Sequence, residues 1–276
     1  MTASAGRSTT GAEAAAAVRG ARALAERGLS SSLQHAAAAA THPEQAEEGT
    51  RSAIDLLHRL ADLGLAGWAD LIVRPRALGL GLGLGLGAEG AALAADNLAR
   101  ICAAARESGT RVTTDAEDAA AAPAAARLVA GLRAAYPALG RTLPADPDRW
   151  AADPRIPGPS GREPGRSTAE PLAAPGARYR LRGADHAPGL AAAHAGRRAA
   201  DLGFVRALRT LMPGPDRLVV ATGDPRLLEI AGALAAVSRR PAESVEYELP
   251  RRVRSGDLRR LRAAGARVRI RFAVRA

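Results

Sequence analysis

The chain has 276 residues, a formal net charge of +11 carried on arginine with no lysine, 47% hydrophobic residues and only 3% aromatics. One cysteine, Cys102, excludes an intrachain disulfide. No stretch reaches the roughly 18 apolar residues of a membrane helix, and Met1–Ala17 lacks the apolar core of a signal peptide, so a soluble, cytoplasmic protein is expected.

In chain order, Met1 to Thr10 is polar and reads as disordered, and Gly11 to Arg27 suits an Ala-rich helix; residues 1–20 form an N-terminal extension, disordered or helical. Ser30 to His35 reads as a short strand. Pro43 to Leu65 carries Ile54, Leu57, Leu60 and Leu65 at helical spacing. Asp70 to Arg74 holds the apolar run Leu71-Ile72-Val73 of a buried strand. Leu78 to Gly87 repeats Leu-Gly five times between a strand and a helix. That context suits phosphate, but the spacing matches no phosphate-binding fingerprint, so a slipped repeat in a loop is the simpler reading. Ala88 to Glu107 is a helix that buries Cys102, Arg111 to Glu117 a strand, Pro123 to Tyr136 a helix, and Gly140 to Ala145 a weak strand. Residues 151–176 are rich in Pro, Gly, Ser and Arg and read as a disordered insert. Arg178 to Ala184 reads as strand and His186 to Met212 as mainly helix. Strands near Leu218, Val245 and Arg269, separated by helices, close the chain.

Eight strands alternating with helices predict an α/β fold, a (β/α)8 TIM-like barrel spanning residues 21–276. The chain ends just after the eighth strand, so a distorted barrel lacking the final helix, with one side uncovered, is expected.

Several short motifs fall in order at strand ends, where barrel enzymes place their chemistry. They are Ile72-Val73-Arg74 with Ala77-Leu78-Gly79, the helical Asp96-Asn97-Leu98, Val112-Thr113-Thr114-Asp115-Ala116-Glu117-Asp118, and Leu143-Pro144-Ala145-Asp146. Arg180-Leu181-Arg182-Gly183-Ala184-Asp185, Ala221-Thr222-Gly223-Asp224, Glu246-Tyr247-Glu248-Leu249 and Val268-Arg269-Ile270-Arg271 follow. In this order they resemble the flavin-dependent proline dehydrogenase family, over most of the chain from Ala21.

The resemblance implies FAD-dependent oxidation of L-proline to 1-pyrroline-5-carboxylate, with hydride passing to the flavin. It assigns Asp115 and Arg74 to the catalytic set, Arg74 standing where the family has lysine. It assigns Arg180, Arg182, Gly183, Ala184, Thr222 and Glu248 to the cofactor site. A structural salt bridge from Arg74 or Arg182 to Asp115 or Glu117 is the alternative. The departures are severe. Pro144 replaces a glutamine and has no backbone donor, Glu248 replaces another glutamine, and Gly223 replaces a histidine. Arg271 replaces the tyrosine that would cover the substrate, and Asp185 replaces another tyrosine. The arginine pair that would clamp the substrate carboxylate belongs to a helix beyond the last strand. Losing five or six polar contacts at about 1 kcal/mol each would weaken flavin binding by several powers of ten. Weak or lost activity is therefore expected.

The competing expectation is a non-catalytic barrel, a pseudoenzyme acting as a binding or scaffold protein. Ten arginines from Arg251 to Arg275 could hold phosphates. With only Phe272 as an aromatic among them, nucleic acid is not the expected partner. The five histidines are scattered, and no metal site is expected.

Overall fold

The computed structural model describes residues 3–81, 87–116, 120–145, 177–183, 196–252 and 254–274. Its strands are β1 Ser30–His35, β2 Ala69–Val73, β3 Arg111–Thr114, β4 Gly140–Pro144, β5 Arg178–Arg182, β6 Arg217–Ala221, β7 Val245–Pro250 and β8 Arg267–Val274. All neighbours pair in parallel, and β8 returns to β1, so the sheet is a closed eight-stranded barrel. The expected barrel and all eight strand positions are observed.

The described helices are α1 Ala3–Ala25, α2 Pro43–Asp62, α3 Gly87–Glu107, α4 Ala122–Leu132, α5 Arg197–Leu211, α6 Pro225–Val237 and α7 Ser255–Ala263. Helix α2 buries Ala46, Thr50, Ala53, Leu57 and Leu60, one stripe at helical spacing. Helix α6 starts where Pro225 fixes its first turn and the Asp224 carboxylate accepts from Arg226 N. The 3₁₀ turn Pro75–Leu78 ends on Gly79 at φ +107°, a left-handed backbone that favours glycine.

Three expectations are revised. Helix α1 begins at Ala3 rather than Gly11. The third strand stops at Thr114, because Asp115 already leaves the ladder after donating its N–H to Val73 O at 2.8 Å. No helix follows β8 among the described residues, yet that flank is not bare. Ala17, Val18 and Ala21 of α1 are buried in one cluster with Leu33 of β1 and Val274 of β8. Gly20 lets the helix approach so closely that a Cβ there would stand 2.8 Å from the Phe272 ring. The Pro-rich insert, half of the Leu-Gly repeat and the start of the His186–Met212 helix lie outside the described residues.

The outer faces of the strands meet the helices through Leu71, Val73, Leu143, Leu181, Val220 and Leu249, all buried. The opposite residues of the same strands point into the barrel, since successive strand side chains alternate. Many of those inner residues are charged.

Candidate functional site

The inner face is built from i, i+2 pairs of charges. Strand β5 contributes Arg178, Arg180 and Arg182; β7 contributes Glu246 and Glu248; β8 contributes Arg269 and Arg271. Because these strands are not all adjacent, contact between their side chains must cross the barrel interior.

A lower layer centres on Asp70 and Glu246. Arg269 Nε donates to Glu246 Oε2 at 2.7 Å and its Nη1 reaches Asp70 and Ser32. Arg178 bridges the same two carboxylates, at 3.2 Å from Glu246. Arg111 Nε donates to Asp70 at 3.0 Å. Burial alone would raise the two carboxyls; the arginines outweigh it and hold both below the usual range. Burial and the nearby Arg269 together depress Arg178 despite its acidic partners. An ionic layer of this kind is poor evidence for added stability, because desolvation of the ions offsets much of their attraction.

The upper layer lies one step nearer the C-terminal strand ends, where Arg182 is the last residue of β5 and Asp115 the first after β3. Arg180 donates from Nε and Nη2 to the Glu248 carboxylate at 3.0 and 2.5 Å, and from Nη1 to Asp115 Oδ2 at 3.3 Å. Arg182 Nη1 donates to Asp115 Oδ1 at 2.7 Å. Arg180, Asp115 and Glu248 are no more than 2% exposed, and Arg182 is 6% exposed. Burial disfavours the Arg180 charge, but Glu248 and Asp115 reverse the balance and raise its pKa.

Of the residues singled out from the sequence, Asp115, Arg180, Arg182 and Glu248 are thus brought into one cluster. Thr222 is fully buried at the end of β6, where its Oγ1 accepts from Asp224 N at 3.1 Å. Gly183 is buried and its N–H binds Ala221 O at 2.8 Å. Ala184 lies outside the described residues. Arg74 is half-buried at the end of β2, where its Nη1 reaches Ala37 O at 3.5 Å. Beside it, His35 Nε2 lies 3.1 Å from Ser52 Oγ. Burial first, then the Arg74 charge, push the His35 pKa down to about 4, so this ring is neutral near pH 7.

The Arg182–Asp115 bridge is one of the salt bridges offered as the alternative in the sequence reading; the rest of the ionic core is not singled out there. In sequence terms Arg269 carries no role beyond its place among the ten arginines from Arg251 to Arg275 that could hold phosphates. The structure puts Arg269 inside at 1% exposure, and leaves Arg251, Arg252, Arg254, Arg259, Arg260, Arg262 and Arg267 on the exterior. The available signal was strict alternation of charged and apolar residues in Arg178–Arg182 and Arg267–Arg271. Alternation alone does not say which face is the inside. Among the described residues no group of His, Cys, Asp or Glu is placed to hold a metal ion, and no helix is long and apolar enough to cross a membrane.

No protein-family model matches this sequence, and no curated protein does. Solved structures do match. Proline utilization A from Bdellovibrio bacteriovorus, inactivated by N-propargylglycine, superposes with a TM-score of 0.72 at 13% identity over 93% of this chain and 29% of that one. Proline utilization A from Corynebacterium freiburgense gives 0.72 at 15% identity over 94% of this chain and 28% of that one. A mutant of the Bradyrhizobium japonicum protein gives 0.65 at 14% identity over 89% of this chain and 26% of that one. At such identities the likeness establishes a shared barrel fold. The chain spans less than a third of the length of these proteins.

Proposed function

We propose that this chain is a proline dehydrogenase-like barrel in which FAD-dependent oxidation of L-proline is weak or lost. The fold shared with the proline utilization A proteins supports the first half of this reading. One observation carries the second half. Arg180 is locked on Glu248 through two nitrogens and on Asp115 through the third.

A flavin needs donors around its ring edge and a chain that can approach its face. Here the buried Arg180 guanidinium is directed at carboxylates on three of its nitrogen positions, and Arg182 faces Asp115 at 2.7 Å. Pro144 has no N–H to offer. Glu248 is a buried carboxylate at a position to which the resemblance assigns a donor for the ring edge. These residues therefore fit a flavin poorly.

The test is the visible spectrum of the purified protein after incubation with excess FAD and gel filtration. We expect flavin well below one equivalent and little or no bleaching by L-proline. Stoichiometric flavin that L-proline reduces would overturn the loss of activity and leave a working dehydrogenase. A folded protein that stays colourless favours the second reading, a binding or scaffold barrel without catalysis.

A further inference from the structure

Three of the five large apolar side chains exposed among the described residues stand on two neighbouring helices. Leu202 is on α5, and Ile230 and Val237 are on α6. The two helices pack side by side on the barrel wall, where Arg226 Nη2 of α6 donates to Asp201 Oδ2 of α5 at 3.3 Å. Along α5, Leu202, Val205 and Arg209 fall at i, i+3 and i+7 and so share one face. Along α6, Ile230, Ala233 and Val237 do the same. Val205 and Leu234, each partly buried, join these rows to the core beneath. Val237 is 81% exposed, so burial within this chain does not account for an apolar residue there.

The charge around the rows has a direction. Asp201 and Glu229 are the acids of the two helices. Both are already in ion pairs, Asp201 with Arg226 and Glu229 with Arg260 of α7 at 2.6 Å. Arg206 and Arg209 are exposed on α5, and exposed Arg239 follows the end of α6. The whole sequence has 39 basic residues against 28 acidic ones, so a second copy would bring like charge to this face.

We propose that the seam between α5 and α6 docks an acidic amphipathic helix of a partner protein. Two apolar rows at helical spacing accept the apolar stripe of a third helix. Carboxylates flanking that stripe meet Arg206, Arg209 and Arg239, and guanidinium pairs with carboxylate through a planar fork. A nucleic acid would satisfy the arginines but leave Ile230 and Val237 without an apolar partner. The seam lies on the outer wall of the barrel, so the proposal stands whether or not a flavin binds inside.

The experiment is a fluorescence-anisotropy titration of labelled synthetic peptides with the full chain at constant ionic strength. The probes are helical peptides of about 18 residues, or about five turns. The first has a leucine stripe flanked by glutamates. The second keeps the glutamates and replaces the leucines by glutamine; the third keeps the leucines and replaces the glutamates by arginine. We expect the first to saturate and the other two to bind more weakly by roughly tenfold or more. Val237→Asp and Arg209→Glu should each weaken the first peptide by roughly tenfold. Leu63→Asp and Arg262→Glu, exposed elsewhere on the surface, should match the parent chain. Arg209→Glu carries the comparison if Val237→Asp does not fold. Equal binding of the first two peptides, or an equal loss in Arg262→Glu, would mean diffuse charge attraction and overturn the seam. A DNA duplex or phosphatidylglycerol vesicles that bind through Val237 and Arg209 while the first peptide does not would overturn the helix as occupant. So would self-association in sedimentation velocity that Val237→Asp abolishes, since the seam would then belong to a second copy. No saturation by the first peptide overturns the proposal outright.

Discussion

Arg180 and Glu248 meet inside the barrel as a two-point pair, Nε at 3.0 Å and Nη2 at 2.5 Å from Oε1, with Glu248 wholly buried. They come from β5 and β7, which β6 separates, so the pair spans the interior and ties strands that share no ladder. The same guanidinium reaches Asp115 at the end of β3. One side chain therefore holds both upper carboxylates in place.

Removing one member should cost more than removing both. Glu248→Gln leaves the buried Arg180 with Asp115 and a neutral amide, and should lower unfolding stability by about 3 kcal/mol. The double variant Arg180→Met with Glu248→Leu should recover most of that loss, because no unpaired buried charge remains at that pair. Urea denaturation of the three chains measures it; a neutral Glu248→Gln would show that the pair does not hold the interior together.

His35 should make the fold acid-sensitive. Its folded pKa is about 4, below the 6.5 of an unfolded histidine, so the unfolded chain binds the extra proton first as pH falls. Its contribution is fully present above pH 6.5 and declines towards pH 4, by roughly 3 kcal/mol in total. Arg74 and Ser52 are the groups that face it. His35→Gln should flatten the melting-temperature profile between pH 6.5 and 4, and an unchanged slope would assign that loss to other groups.

Acid should act again lower down. Asp70 and Glu246 have depressed folded pKa values, so the stability they confer is present above the ordinary carboxyl range. It is lost as pH falls from about 4 through their folded values. Asp70→Asn should remove part of this second loss while lowering stability at pH 7. Unfolding curves at pH 2.5, 4 and 7 separate the two contributions.

Gly140 sits where the barrel admits no side chain. A Cβ there would lie 2.5 Å from Thr113 Oγ1 and 3.2 Å from its Cβ. Gly140→Ala should cost about 1–3 kcal/mol through overpacking. Adding Thr113→Ala should return part of it, which a double-mutant cycle on chemical denaturation reads directly.

Cys102 should be inert in the native protein. It is 5% exposed and burial pushes its thiol up to about 12. A thiol reagent should label it only as fast as the protein unfolds, so the logarithm of the labelling rate should rise linearly with added urea. Rapid labelling of the native chain would show that α3 opens locally.

Much of the architecture was legible in the chain because it is local. The apolar run Leu71-Ile72-Val73, the helical stripe through Leu57 and Leu60, and the recurrence of strand and helix imposed eight strands at the positions observed. Asp115, Arg180, Arg182 and Glu248 could be chosen because each lies in a motif that carries the family resemblance; Asp115 follows β3 directly and Arg182 ends β5, while Arg180 and Glu248 lie inside β5 and β7.

The sequence by itself determined the strands, the helices between them and the barrel class, since these follow from periodicity and propensity within short windows. Only the tertiary structure decided that Glu248 is the partner of Arg180, that Arg269 is interior while Arg262 is exterior, and that α1 covers the β8–β1 flank. The reason is physical. Alternation along a strand fixes two faces but not which one closes inward. Which charge meets which depends on register across the barrel, joining residues as far apart as Ser32 and Arg269.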